Sequence, residues 1–185
     1  DFDSSGFCVG VPTNFNNKSV AGTNPFGGAY SNWDLDNPPS SFSSVASPTT
    51  TYTTAGNKNV KLVVTDTKGC KDSVTKIVPI YGSPFAKFGA QPNKTCFGVP
   101  IVFTDSSIPS SAPIITWDWD LDGVAPFDGT GPAIPPYSYK VAGNYLPKLN
   151  IMDANGCKSS QQISVVIVNK PIVDFTYNPR TCADT

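Results

Sequence analysis

In the stretch TWDWDLDG (116–123), Asp118, Asp120 and Asp122 alternate with Trp117, Trp119 and Leu121. Carboxylates so spaced could hold a hard cation or act as an acid pair. As a calcium loop, Asp118, Asp120, Asp122 and Gly123 match positions 1, 3, 5 and 6 of an EF-hand-type loop, and Asp128 could add an oxygen from the next segment. Position 12 would be Gly129, where a bidentate glutamate is needed. A glycosidase-type pair needs two carboxyls facing each other ~5–9.5 Å apart, one of them with a raised pKa. Neighbours on one exposed strand face are instead solvated and ionise together. The chain has no histidine, which removes Ser-His-Asp and Cys-His catalysis and the common zinc ligand sets. None of its five cysteines forms a C-x-x-C pair. The chain is therefore read as not an enzyme, with no cofactor implied and calcium the one ion the motif suits.

The third reading of TWDWDLDG is a strand with one dry face. Alternation puts Trp117, Trp119 and Leu121 on one side and the aspartates on the other. Composition favours this: 15 glycines and 18 prolines among 185 residues point to short elements joined by turns. Charged residues make up 15% and the net charge is −1, so nothing steers the chain to nucleic acid or an anionic membrane. No stretch reaches the ~20 apolar residues of a membrane span, and the N-terminus shows no signal peptide. Starting at Asp1, the chain reads as a piece of something longer.

The elements repeat with a period of about 87 residues. TCFGVPIVFTDSS (95–107) answers FCVGVPTNFNNKS (7–19), WDLDG (119–123) answers WDLDN (33–37), and YKVAGNYLPKLNIMDANGC (139–157) answers YTTAGNKNVKLVVTDTKGC (52–70). Two modules follow, 1–82 and 83–170, and 171–185 reads as the first strand of a third, truncated copy that includes Cys182. Inside each module the period is 2, as where Val60, Leu62 and Val64 share one side of NVKLVVTD. Such strands, with turn signals every 8–12 residues, predict an all-β sandwich. The repeat also predicts that Trp33 and Trp119 lie in the two cores. Trp117, matched only by Ser31, is an extra aromatic.

Trp-Asp-x-Asp-Gly/Asn, followed by Tyr-x-x-x-Gly and the Asp-x-x-Gly-Cys turn, resembles the polycystic kidney disease (PKD) domain across both complete modules. The resemblance implies tandem immunoglobulin-like (PKD-type) β-sandwiches, with Trp33, Trp119, Tyr52 and Tyr139 as structural residues. The cysteine-bearing variant is similar to the arrays of large bacterial surface adhesins, including those of gliding bacteria. It implies a non-catalytic extracellular spacer on the bacterial cell surface, whose partners are neighbouring repeats, with surface polysaccharide or protein as a further class. The alternative function is a carbohydrate- or protein-binding module using Trp117, Phe127 and Tyr137 as exposed aromatics. Asp72-Ser73-Val74 resembles an O-glycan signal of such bacteria, making Ser73 a glycan candidate. Asn17-Lys-Ser19 and Asn93-Lys-Thr95 are sequons that a bacterial protein would leave bare.

Secreted cysteines should be oxidised. Pairing within modules would join Cys8 to Cys70 and Cys96 to Cys157. In an immunoglobulin-like sandwich, however, those positions lie at opposite ends, ~17–20 Å apart for a strand of five or six residues, and a disulfide needs Cα atoms within ~7 Å. The head-to-tail alternative joins Cys8 to Cys157, leaving Cys96 for a following repeat and Cys70 for a preceding one. Both pairings stand at this point, the second preferred.

Overall fold

The computed structural model describes residues 1–39, 41–124 and 126–177. Every regular element among them is a strand. The first seven are β1 (Phe2–Ser5), β2 (Pro12–Asn17), β3 (Phe26–Asp34), β4 (Phe42–Ser43), β5 (Thr49–Thr51), β6 (Gly56–Asp66) and β7 (Lys71–Ile80). They form a three-stranded sheet in the order β1-β2-β5 and a four-stranded sheet in the order β4-β3-β6-β7. The alternation read from the sequence decides what lies inside. Along β6, Val60 and Leu62 are buried while Lys61 between them is exposed. With Phe2, Phe15, Trp33 and Tyr52 they make one core. Fully burying a side chain such as Leu62 stabilises by about 1.5–3 kcal/mol.

The second set is β8 (Phe88–Gln91), β9 (Lys94–Cys96), β10 (Val102–Asp105), β11 (Ile114–Asp120), β12 (Gly129–Thr130), β13 (Gly143–Tyr145), β14 (Lys148–Asp153), β15 (Lys158–Gln162) and β16 (Val165–Val168). A second core collects Phe88, Phe103, Trp119, Tyr139, Leu149 and Ile151. The two tryptophans share one setting. Phe2 meets Trp33 edge-on at 5.0 Å, and Phe88 meets Trp119 edge-on at 5.2 Å.

One difference separates the copies. In the first, β6 and β7 pair without a break from Gly56↔Ile80 to Thr65↔Lys71. In the second, the hairpin of β14 and β15 stops at Lys148↔Gln162, and β13 and β16 join β9 in another sheet. Pro147 stands at the break and has no N–H to give the ladder. Its carbonyl still accepts from Ile163 N at 3.1 Å, which closes the gap.

The span read as a first strand of a third copy is not one over residues 171–177, where no strand forms. Ile172, Val173, Phe175 and Tyr177 are exposed there. A strand needs a neighbouring ladder, and none among the described residues pairs with these. Residues 178–185, with Cys182, lie outside the described residues.

Candidate functional sites at an acidic turn and a bridged junction

The strand β11 places its residues as alternation requires. Trp119 is wholly buried, and its Nε1–H donates to the Gly131 carbonyl at 2.9 Å. Asp118 lies opposite Asn150 on one side and Thr130 on the other. Asp120, Asp122 and Asp128 converge instead where the chain leaves β11, each offering a carboxylate oxygen within 4.8 Å of the others. Asp118 is not part of that group. Of the four calcium candidates, three come together.

Each of the three already serves the turn. Asp120 Oδ1 accepts from Gly123 N at 2.7 Å, Asp122 Oδ1 from Val124 N at 2.9 Å, and Asp128 Oδ2 from Leu121 N at 2.6 Å. Gly123 has φ +82°, a left-handed conformation that costs glycine nothing. In module one Asp34 Oδ1 accepts from Asp36 N within the turn, whereas Asp36 Oδ2 accepts from Asn59 N on β6. One carboxylate oxygen on each of the three remains for a cation, against the six to eight that calcium takes. The arrangement suits shaping a turn better than holding an ion.

The aromatics of the alternative reading do not make an exposed cluster. Trp117 is partly buried against the second core, and its indole N–H donates to Asp105 Oδ2 at 2.8 Å. Tyr137 is also packed there, edge-on to Tyr139 at 4.9 Å. Its hydroxyl pKa is raised, first by burial and then by the charges of Asp128 and Asp122. Only Phe127 of the three is exposed, at 52%. Trp117 shares the inner face with Trp119, and packing claims it.

Tyr52 and Tyr139 are buried struts. Tyr52 Oη donates to the Leu35 carbonyl at 2.6 Å, and Tyr139 Oη to the Leu121 carbonyl at 2.7 Å. Burial, then Asp36 and Asp34, pushes the Tyr52 hydroxyl up to about 12. Tyr139 is raised further, again mainly by burial. Each ties the leucine of Trp-Asp-Leu-Asp to the segment ahead of β6 or β13.

The cysteines define the second site. Cys8 is bonded to Cys157, with Cα atoms 5.6 Å apart, while Cys70 and Cys96 are free thiols. The bonded pair is the head-to-tail one, and the within-module pairs are not formed. Cys8 sits at the end of module one, bridged in parallel to Tyr81. Beside it Gly82 N donates to Ser111 Oγ at 2.7 Å, and a Cβ on Gly82 would run into the Ser110 hydroxyl. The connector from Tyr81 to Pro84 is thus held against module two. Ser110 and Ser111 escaped the sequence reading, because SSIPSSAP (106–113) has no counterpart of equal length in module one.

Sequence reasoning also missed what presents the second cysteine. Asp153 is buried, and its Oδ1 accepts from Asn155 N at 3.0 Å and Cys157 N at 2.8 Å. Asp66 repeats this with Lys68 N at 2.8 Å and Cys70 N at 2.9 Å. The amide of Cys70, helped by the Asn24 side chain and the Lys68 and Gly69 amides, holds the Asp66 carboxyl below its usual range against the opposing effect of desolvation. The signal is visible as Asp-x-x-Gly-Cys in both copies, with the aspartate three and four positions ahead of the glycine and the cysteine. Ser73, the glycan candidate, is exposed on β7. Asn17 of the first sequon turns back on itself, accepting from Ser19 N at 2.9 Å.

No protein-family model matches the chain, and no curated protein matches it. Among solved structures it is similar to the PKD1 domain of the Vibrio cholerae metalloprotease PrtV, at 26% identity and TM-score 0.39, over 46% of this chain and 96% of that one. It is also similar to the fibronectin(III)-like modules of Clostridium thermocellum CbhA, at 18% identity and TM-score 0.43, over 93% of each chain. A third similarity is to the three N-terminal domains of the bacteriophage RB49 outer capsid protein Hoc, at 13% identity and TM-score 0.37, over 90% of this chain and 59% of that one. The chain is all-β, built of immunoglobulin-like sandwiches.

Proposed function

We propose that the chain is a non-catalytic spacer, two serial modules of a large adhesin on a bacterial surface, holding a distal functional part away from the cell. The observation that carries this reading is the Cys8–Cys157 bond, which fastens one module to the next across their junction. A covalent link between the sandwiches fixes their spacing, which is what a spacer has to do. A disulfide also fits an oxidising, extracellular setting. The absence of histidine and the use of the clustered aspartates as turn acceptors support a role without chemistry. With only Phe127 exposed among the three candidate rings, the binding reading has less behind it.

Small-angle scattering tests the proposal. A compact chain of 185 residues would have a radius of gyration of about 16 Å. Two modules in series, each about the length of the eleven-residue β6, give roughly 22 Å. A value near 22 Å, unchanged by soluble polysaccharides, supports the spacer. A value near 16 Å overturns it.

A further inference from the structure

The bond between Cys8 and Cys157 joins two local structures, and each occurs a second time with its cysteine unpaired. Around Cys8, the cysteine bridges Tyr81 in parallel, Val9 N donates to the Tyr81 carbonyl at 2.9 Å, and Gly10 N to the Tyr52 carbonyl at 2.9 Å. Around Cys96, the cysteine pairs in parallel with Val168, Phe97 N donates to the Val168 carbonyl at 3.1 Å, and Gly98 N to the Tyr139 carbonyl at 2.8 Å. The match runs donor for donor.

The other half repeats as closely. Around Cys157, Asp153 N donates to the Cys157 carbonyl at 2.9 Å and Ala154 N to the Pro113 carbonyl at 3.0 Å. Around Cys70, Asp66 N donates to the Cys70 carbonyl at 3.0 Å and Thr67 N to the Pro25 carbonyl at 3.1 Å. What differs is cover. Cys157 and Asp153 have no accessible surface, whereas Cys70 is exposed beside a cavity of about 320 Å³ lined by Phe26, Val64, Asp66 and Lys71. The turn that is closed at the internal junction is open at the other end of the chain.

We infer that Cys96 and Cys70 are the two halves of the same junction, shaped in advance to dock further copies of this module head to tail. Cys96 takes the Asp-x-x-Gly-Cys turn of a following repeat, and the Cys70 turn takes the Cys8-type corner of a preceding one. The two surfaces differ, so the contact is heterologous, joining one end of a repeat to the opposite end of the next. In the bonding step each thiol loses its proton and the two sulfurs together give up two electrons to a disulfide oxidant, which is reduced to two thiols. Oxidised glutathione serves in vitro. The inference rests on reading the modules as serial repeats, and not on what the array carries.

The test uses the full chain with Cys182→Ser, so that Cys70 and Cys96 are its only thiols, in a buffer of reduced and oxidised glutathione. Non-reducing gels should show a ladder of multimers. Digestion and mass spectrometry should show the Cys70–Cys96 linkage in at least tenfold excess over Cys70–Cys70 and Cys96–Cys96. Adding Cys70→Ser or Cys96→Ser should stop the ladder at dimer, and denaturant should abolish the excess. A statistical mixture with about half of the links heterotypic, or no link at all, would overturn the inference. Scattering from the monomer separates the two failures: an elongated monomer that forms no heterotypic link leaves the spacer reading intact.

Discussion

Trp33 and Trp119 occupy matched sites, yet their indole nitrogens fare differently. Trp119 Nε1–H reaches the Gly131 carbonyl at 2.9 Å, and Trp33 Nε1 is buried without a partner. Replacing each by Phe removes a similar volume from a similar aromatic cage, so the packing losses largely cancel in the comparison. Trp119→Phe also forfeits a hydrogen bond with a net value of about 1 kcal/mol and strips the Gly131 carbonyl of this donor. Trp33→Phe deletes an unsatisfied donor, whose burial costs about 1–3 kcal/mol. Trp119→Phe should therefore destabilise by about 2–4 kcal/mol more than Trp33→Phe. Urea unfolding followed by far-ultraviolet circular dichroism reads the difference from the midpoint shift multiplied by the slope. A Trp33→Phe protein that loses as much as Trp119→Phe would refute the reasoning.

Reducing Cys8–Cys157, or replacing both residues by Ser, should lower the urea midpoint and split one transition into two; the chain-entropy model gives about 5 kcal/mol as an upper bound for a separation of 149 residues. Asp153→Ala strands the amides of Asn155 and Cys157 and should cost about 2–4 kcal/mol by the same assay, with Asp153→Asn recovering most of it because an acceptor remains. At alkaline pH the unfolded Tyr52 ionises near 10 while the folded one holds its proton to about 12. Its contribution is thus complete below pH 10 and declines above it by about 1.4 kcal/mol per unit, which denaturation at pH 8, 10 and 11 with tyrosinate absorbance at 295 nm will follow.

The fold was readable because strand chemistry is local. The alternation in NVKLVVTD and the matched tryptophans told which faces are dry, and the structure buries Val60, Leu62, Trp33 and Trp119. The repeat register also told which cysteines are equivalent, and from that the head-to-tail choice could be posed. What escaped depends on the third dimension. Trp117 sits on the inner face, but its packing against the second core and its bond to Asp105, twelve positions away, appear only in three dimensions. Tyr137 follows two prolines and reads as an exposed aromatic, and its packing against Tyr139 appears only once the sandwich closes. The aspartates of TWDWDLDG were correctly placed outside, while their division between a turn cluster and a lone Asp118 depends on how the chain bends after Leu121.

The bond between residues 8 and 157 changes how the chain would answer a pull on its ends. Tension would enter at the first strand, cross through sulfur to the turn after β14, and leave through the tail. The 149-residue separation it spans corresponds to roughly 500 Å of extended backbone that would carry no load. Both hydrophobic cores lie almost wholly inside that sheltered loop, so force could not pay out their contour length unless the sulfur bridge were reduced first.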